Sequence, residues 1–144
     1  MDRDLEKAKT YLEKERCTCV LCKGDSLYHS RHRGVRPLLE FLDSGISFSG
    51  FSAADKVVGK ATAYLYCLLG VREVHAGVLS NAAAGVFTRA GIPFSCDAQV
   101  PVIRNRTNTG LCPMETATKD IDDPHLALTA IRDTLKKLQN EAAQ

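Results

Sequence analysis

The stretch from Phe48 to Gly70 constrains this chain more than any other. It opens on small residues, Ser49, Gly50 and Ser52, and then Ala54, Val57, Val58, Ala61, Leu65, Leu68 and Leu69 recur at helical spacing. That spacing predicts one long helix, capped at Ser52 with Asp55 three residues on, and closed by Gly70. Beyond Lys60 no charge appears until Arg72, so the second half of the helix is expected to be buried all round. Asp55, Lys56 and Lys60 gather at its N-terminal end. A buried helix with its polar groups at one end presents that end to something.

The rest of the chain reads as alternating short elements. Leu5, Ala8, Tyr11 and Leu12 predict an amphipathic helix from about Asp4 to Glu15. Cys17 to Cys22 and Leu27 to Ser30 flank a Lys23 to Ser26 turn, the pattern of a β-hairpin. Strand alternation sends Cys17 and Cys19 to one face and Cys22 to the other, so the three thiols are expected to pack in the core and not to form half a metal site. Pro37 is placed to start a helix through Leu42 that Ser44 and Gly45 end. Val71 to Leu79 predicts a strand, Asn81 to Ala90 a small-residue helix closed by Gly91, and Ile92 to Cys96 a second strand, parallel to the first. Val100 to Ile103 is a last extended piece, with Pro101 suited to a sheet edge. Pro124 opens a closing helix with Ala127, Ile131, Leu135 and Leu138 on its buried stripe. The order predicts an α/β fold with a mixed sheet between helical layers.

A chain of 144 residues is expected to be one domain, 1–144, with a core of its own. A formal net charge of +2 is too small to point to nucleic acid or a membrane surface. The segment from Met1 to Lys7 is charged from the start, unlike a secretory leader, and the longest apolar run, Ala61 to Leu69, is too short to cross a bilayer. Six scattered cysteines without such a leader read as reduced thiols, and a cytoplasmic location is expected. No motif implies a cofactor.

Four pieces of sequence resemble a known family: Arg33 to Val35 with Pro37 to Leu39, Ala54 to Ala61, Leu111 to Glu115, and Ile121 to Pro124. Together they are similar to a small uncharacterised prokaryotic family, a domain of unknown function assigned to the cytidine-deaminase-like fold. The resemblance spans nearly the whole chain. It implies a three-layer α/β/α fold, with the helix carrying Asp55 as the buried helix that holds half the active site in true deaminases. Those enzymes need a His or Cys two residues before a catalytic Glu, and a Pro-Cys-x-x-Cys at the next helix start. Setting Asp55 in the Glu place puts Ala53 at the ligand position, and Ser80 to Ala84 offers neither thiol nor imidazole. A methyl group does not hold zinc, so zinc-dependent deamination and a bound metal are not expected.

With the metal removed, the expected site is cationic. Helix N-termini favour phosphate or carboxylate, and Arg33 and the Arg104, Asn105 and Arg106 loop would add side-chain donors if both loops fold over Asp55. The first reading is a binding domain for a phosphorylated, nucleotide-like ligand held by Ser52, Lys56, Lys60, Arg33, Arg104, Asn105 and Arg106 around Asp55. The second is an enzyme using Cys112, which precedes Pro113 at a helical turn that Glu115 would cap, in transfer or hydrolysis on such a ligand, with Asp55 as a further catalytic group. The third is a homodimer formed through the Asn81 to Ala90 helix or the hairpin edge. Against these stand ordinary roles: a capping Asp55, a structural Cys112, solvated arginines, and a His75 satisfied within the sheet.

Overall fold

A computed structural model describes residues 3–105, 107–108 and 110–143. Helix α1 (Arg3–Lys14) leads into a hairpin of β1 (Cys19–Lys23) and β2 (Ser26–Ser30), followed by α2 (Arg36–Asp43). Next come β3 (Ser52–Val58), α3 (Lys60–Leu69), β4 (Glu73–Ser80), α4 (Asn81–Ala90) and β5 (Phe94–Val100), and the chain closes with α5 (Pro113–Thr118) and α6 (Pro124–Ala143). The strands form one mixed sheet in the order β2-β1-β3-β4-β5. Strand β1 is antiparallel to both its neighbours, while β3, β4 and β5 run parallel.

The stretch expected to be one long helix is therefore two elements. Its first half is the central strand β3, and only Lys60–Leu69 is helical. Ser52 caps nothing: it is a fully buried strand residue whose hydroxyl donates to Glu73 Oε2 at 2.7 Å. Small side chains at Ala53 and Ala54 let helices approach the sheet from both sides. Ala54 packs with Ala8, Leu12 and Val20 beneath α1, and Ala53 joins the larger core with Leu65, Val74 and Phe87. A strand buried on both faces shows a near-continuous apolar run, and periodicity alone does not separate such a run from a helix. The second half meets the expectation, with Ala61, Ala63, Tyr64, Leu65, Tyr66 and Leu69 all buried and Gly70 closing the helix in the left-handed region at φ 75°.

Other boundaries follow the local chemistry. Ser80 caps α4 by accepting the Ala83 N–H at 3.1 Å, and Gly91 ends it at φ 73°. The strand expected at Ile92–Cys96 runs instead from Phe94 to Val100 at the sheet edge, and the piece expected at Val100–Ile103 is not a separate strand. Cys17 lies before β1, outside the reach of strand alternation, and packs beside Cys22 and α1 instead of sharing a face with Cys19. All six cysteines are free thiols. On α6 the stripe holds at Ala127 and Ile131, which are fully buried, but fades at Leu138, which is 37% exposed. Among the described residues no helix is long and apolar enough to cross a membrane.

Gly77 marks how tightly β4 lies against β3. A Cβ there would sit 2.7 Å from the Lys56 carbonyl oxygen, inside the contact limit for backbone that has no room to retreat. Gly77→Ala is expected to lose about 1–3 kcal/mol in urea denaturation. Unchanged stability would show that the two central strands are not held this closely.

Candidate functional site

Strand β3 is where the sheet changes character, with antiparallel β1 on one flank and parallel β4 on the other. In open α/β sheets the crevice outside the carboxyl ends of the strands at such a point is the usual ligand site. A cleft of about 1050 Å³ lies there. Its lining comes from the second half of β3 and the residue that follows it (Asp55, Lys56, Val57 and Gly59), the loop into α2 and its first residue (His32, Arg33, Gly34 and Arg36), the segment after β5 (Ile103, Arg104, Asn105 and Thr107) and the start of α5 (Cys112 to Glu115). Thr18 and Cys19 of β1, Ala61 and Thr62 of α3, and Leu135 and Leu138 of α6 complete it. Described residues of both basic loops, Arg33 and Arg36 of one and Arg104 and Asn105 of the other, thus line the same cleft as Asp55.

The cleft floor carries two buried carboxylates, Asp55 and Glu115, each only 8% exposed. Asp55 accepts the Tyr66 hydroxyl at 2.6 Å on one oxygen and the Val57 N–H at 3.2 Å on the other. Burial outweighs these neutral donors and pushes its pKa up to about 7. Burial, reinforced by the charge of Asp55, likewise pushes the neighbouring Cys19 thiol well up, which makes it a poor nucleophile. Glu115 does not cap the turn it lies in. Its Oε1 accepts the Lys60 N–H at 2.6 Å and so caps α3, whose own N-cap, Gly59, has no side chain to do it. Burial raises the Glu115 pKa, and the bond from Lys60 opposes the rise. The bond as it stands depends on glycine at 59, because a Cβ there would collide with Glu115 Oε1 and push the carboxylate off the Lys60 N–H.

These bonds redraw the expected site. Cys112, Asp55, Glu115, Lys56, Arg33, Arg104 and Asn105 all line the cleft. Ser52 and Lys60 do not: Ser52 lies inside the sheet, and the Lys60 ammonium donates to the Lys119 carbonyl at 2.8 Å, at the far end of α5. Lys56 and Lys60 share no helix face, since Lys56 is a strand residue. Alternation turns its side chain away from that of Asp55, and its charge bears on Cys17. Arg106 falls outside the described residues. At both helix N-termini a side chain of the protein already takes one N–H, that of Lys60 by Glu115 at α3 and that of Ala83 by Ser80 at α4.

The basic stretch from His29 to Arg36 divides between two surfaces. Arg33 and Arg36 face the cleft, whereas Arg31 faces a smaller depression of about 320 Å³ and donates twice to the Glu15 carbonyl, at 3.1 and 3.3 Å. His75 is held within the sheet by Ser95 at 2.7 Å and Asp97 at 3.3 Å. Sequence reasoning reaches Arg36 and His32 only as members of the basic Arg31 to Arg36 loop and misses Thr62 and the supporting Tyr66. Gly59, breaking the apolar run after Val57 and Val58, was the signal that could have placed the strand end and with it the cleft.

Among the described residues no three His, Cys, Asp or Glu side chains come together to hold a metal ion. The helix that follows β3 begins Lys60-Ala-Thr62, again without thiol or imidazole.

A single five-stranded mixed sheet flanked by helices, with a cleft at the carboxyl end of its central strand, defines an α/β protein of the open-sheet class. Over residues 7–135 the sequence matches the family described as a domain of unknown function (DUF1893), and the chain belongs to that family. Its fold is similar to the crystal structure of a DUF1893 family protein (TM1506) from Thermotoga maritima, at 26% identity and a TM-score of 0.82, over 95% of this chain and 92% of that one. No match is found among curated proteins.

The floor carboxylates make stability depend on pH. Asp55 titrates at about 7 in the folded chain against 3.8 ordinarily, so between those values the folded state holds a proton that the unfolded state has lost. Its contribution is complete below about pH 4 and is lost as pH rises through about 7. Asp55→Asn is expected to flatten the stability profile across this window and to be the more stable form at about pH 8, by up to ~4 kcal/mol. An unchanged slope would mean that Asp55 is not buried as described. Glu115→Ala leaves the first N–H of α3 without a partner and should cost about 1–2 kcal/mol in chemical denaturation, with Glu115→Gln recovering most of it.

Proposed function

We propose that the cleft at the end of β3 binds a small phosphorylated ligand through side chains and not through a metal. The observation that carries this reading is the meeting of Arg33, Arg36 and Arg104, from two segments far apart in sequence, on the rim of one cleft. Guanidinium forks suit phosphate geometry, and among the described residues none of the three arginines is spent in an ion pair. Asn105 and Thr107 on the same rim add polar groups. A volume of about 1050 Å³ admits ligands up to the size of a nucleotide.

The same proposal includes the finer fold assignment, a cytidine-deaminase-like layout without its metal chemistry. It is supported by helices on both faces of the sheet, with α1 against β1 and β3 and with α4 against β4 and β5. It is supported too by the β3-α3-β4-α4-β5 succession, whose helix starts carry no metal ligands.

A second reading rests on Cys112. It stands in the cleft at the first position before α5, its side chain caps nothing, and His32 lines the same cleft. A Cys112-dependent transferase or hydrolase would require this thiol to alkylate faster than the buried thiols and to change rate with the state of His32.

Thermal shift with nucleotides and sugar phosphates tests the first reading. At least one of them is expected to raise Tm by mass action, and Arg33→Ala or Arg104→Ala should each weaken binding about tenfold. No shift with any phosphate, or shifts that survive both substitutions, would contradict it.

A further inference from the structure

We propose that the ligand of this cleft carries an ammonium group opposite its phosphate, so that it belongs to the phosphorylated aliphatic or sugar amines. The inference rests on the phosphorylated-ligand reading above and specifies the other end of the molecule.

Three features of the cleft lead to it. Among the described residues the one aromatic ring in the lining is the exposed His32 imidazole, so deeper in the cleft a nucleobase would find no aromatic surface to stack on, and the apolar lining there includes the aliphatic Val57, Ile103, Met114 and Leu135. The charges are divided, with arginines from the two loops at the rim and the carboxylates of Asp55 and Glu115 buried at the floor. Finally, the partners of Asp55 are all neutral. It accepts one hydroxyl and the Val57 N–H, the adjacent Lys56 N–H, which donates to the Thr18 carbonyl, also favours its charge, and it is in none of the ion pairs among the described residues.

A buried carboxylate in that position is costly unless a cation or further donors complete it. Glu115 differs, since its charge already serves the start of α3. The upward displacement of Asp55 toward neutral pH is what an uncompensated carboxylate should show, and an ammonium group brought in by a ligand would reverse it. The cleft is thus complementary to a dipolar molecule, with phosphate at the arginines and ammonium at Asp55. A neutral sugar phosphate would satisfy only the rim.

Isothermal titration of the full chain with glucosamine 6-phosphate and glucose 6-phosphate, which differ at one amine, reads this directly, with adenosine monophosphate as a third ligand. The amine is expected to bind about tenfold more tightly than its hydroxyl counterpart, the factor of one charge-assisted hydrogen bond in a desolvated site. In Asp55→Asn the ratio between the two sugars should fall toward one. Equal binding of the two sugars, or tighter binding of adenosine monophosphate than of either, overturns this inference and leaves the phosphorylated-ligand reading standing. Binding of none of the three by the wild-type chain, with no phosphate active in thermal shift either, overturns both.

Discussion

Glu115 reaches back 55 residues along the chain to take the first N–H of α3, and Lys60, the residue that donates it, sends its ammonium to the carbonyl of Lys119 at the end of α5. Each helix thus supplies the polar partner that the other's terminus lacks. This exchange sets the start of α5 against the start of α3, and so it closes one side of the cleft. It is helped by glycine at residue 59, since a side chain there would displace the Glu115 carboxylate from its present place. The Tyr64 hydroxyl, bonded to the Ile121 carbonyl at 2.7 Å, ties the next turn of α3 to the segment that leads into α6. The C-terminal third of the chain is fastened to the central layer by these few polar bonds and by the packing of Met114, Ala127 and Ile131 into the core.

The same bonds decide the electrostatics of the site. A helix N-terminus filled by an internal carboxylate no longer offers its dipole to a ligand, so recognition of an anion passes to side chains at the rim. Asp55 remains at the floor, fixed from above by Tyr66 of α3 and from its own strand by Val57. Holding it there works against stability at neutral pH. Groups that are costly to bury and stand in a cleft are where function is commonly found.

Much of the architecture could be read from local chemistry. The bounds of α4 follow from Ser80 and Gly91, the start of α2 from Pro37, and the hairpin from the Lys23 to Ser26 turn, because each depends on residues next to the element itself. The central strand could not be read this way. Ala54, Val57 and Val58 fit a helical period by chance of composition, and burial on both faces of β3 removed the alternation that would have betrayed a strand. Asp55 therefore reads in sequence as a helix-start residue, whereas it is the middle residue of the strand that positions the cleft. The partnership of Glu115 with Lys60 and of Asp55 with Tyr66 left no trace in sequence, since each depends on how separate elements pack. Arg33 and Arg104 were legible as residue types suited to phosphate, but their convergence is a property of the fold alone.

The central claim is that the arginine rim and the acidic floor act as one site. Mapping amide chemical shifts of the labelled protein during titration with a sugar phosphate tests it most directly. The account predicts perturbations gathered on His32 to Arg36, Asp55 to Val57 and Ile103 to Asn105. Shifts confined to α1 or β5, or none at saturating ligand, would contradict it.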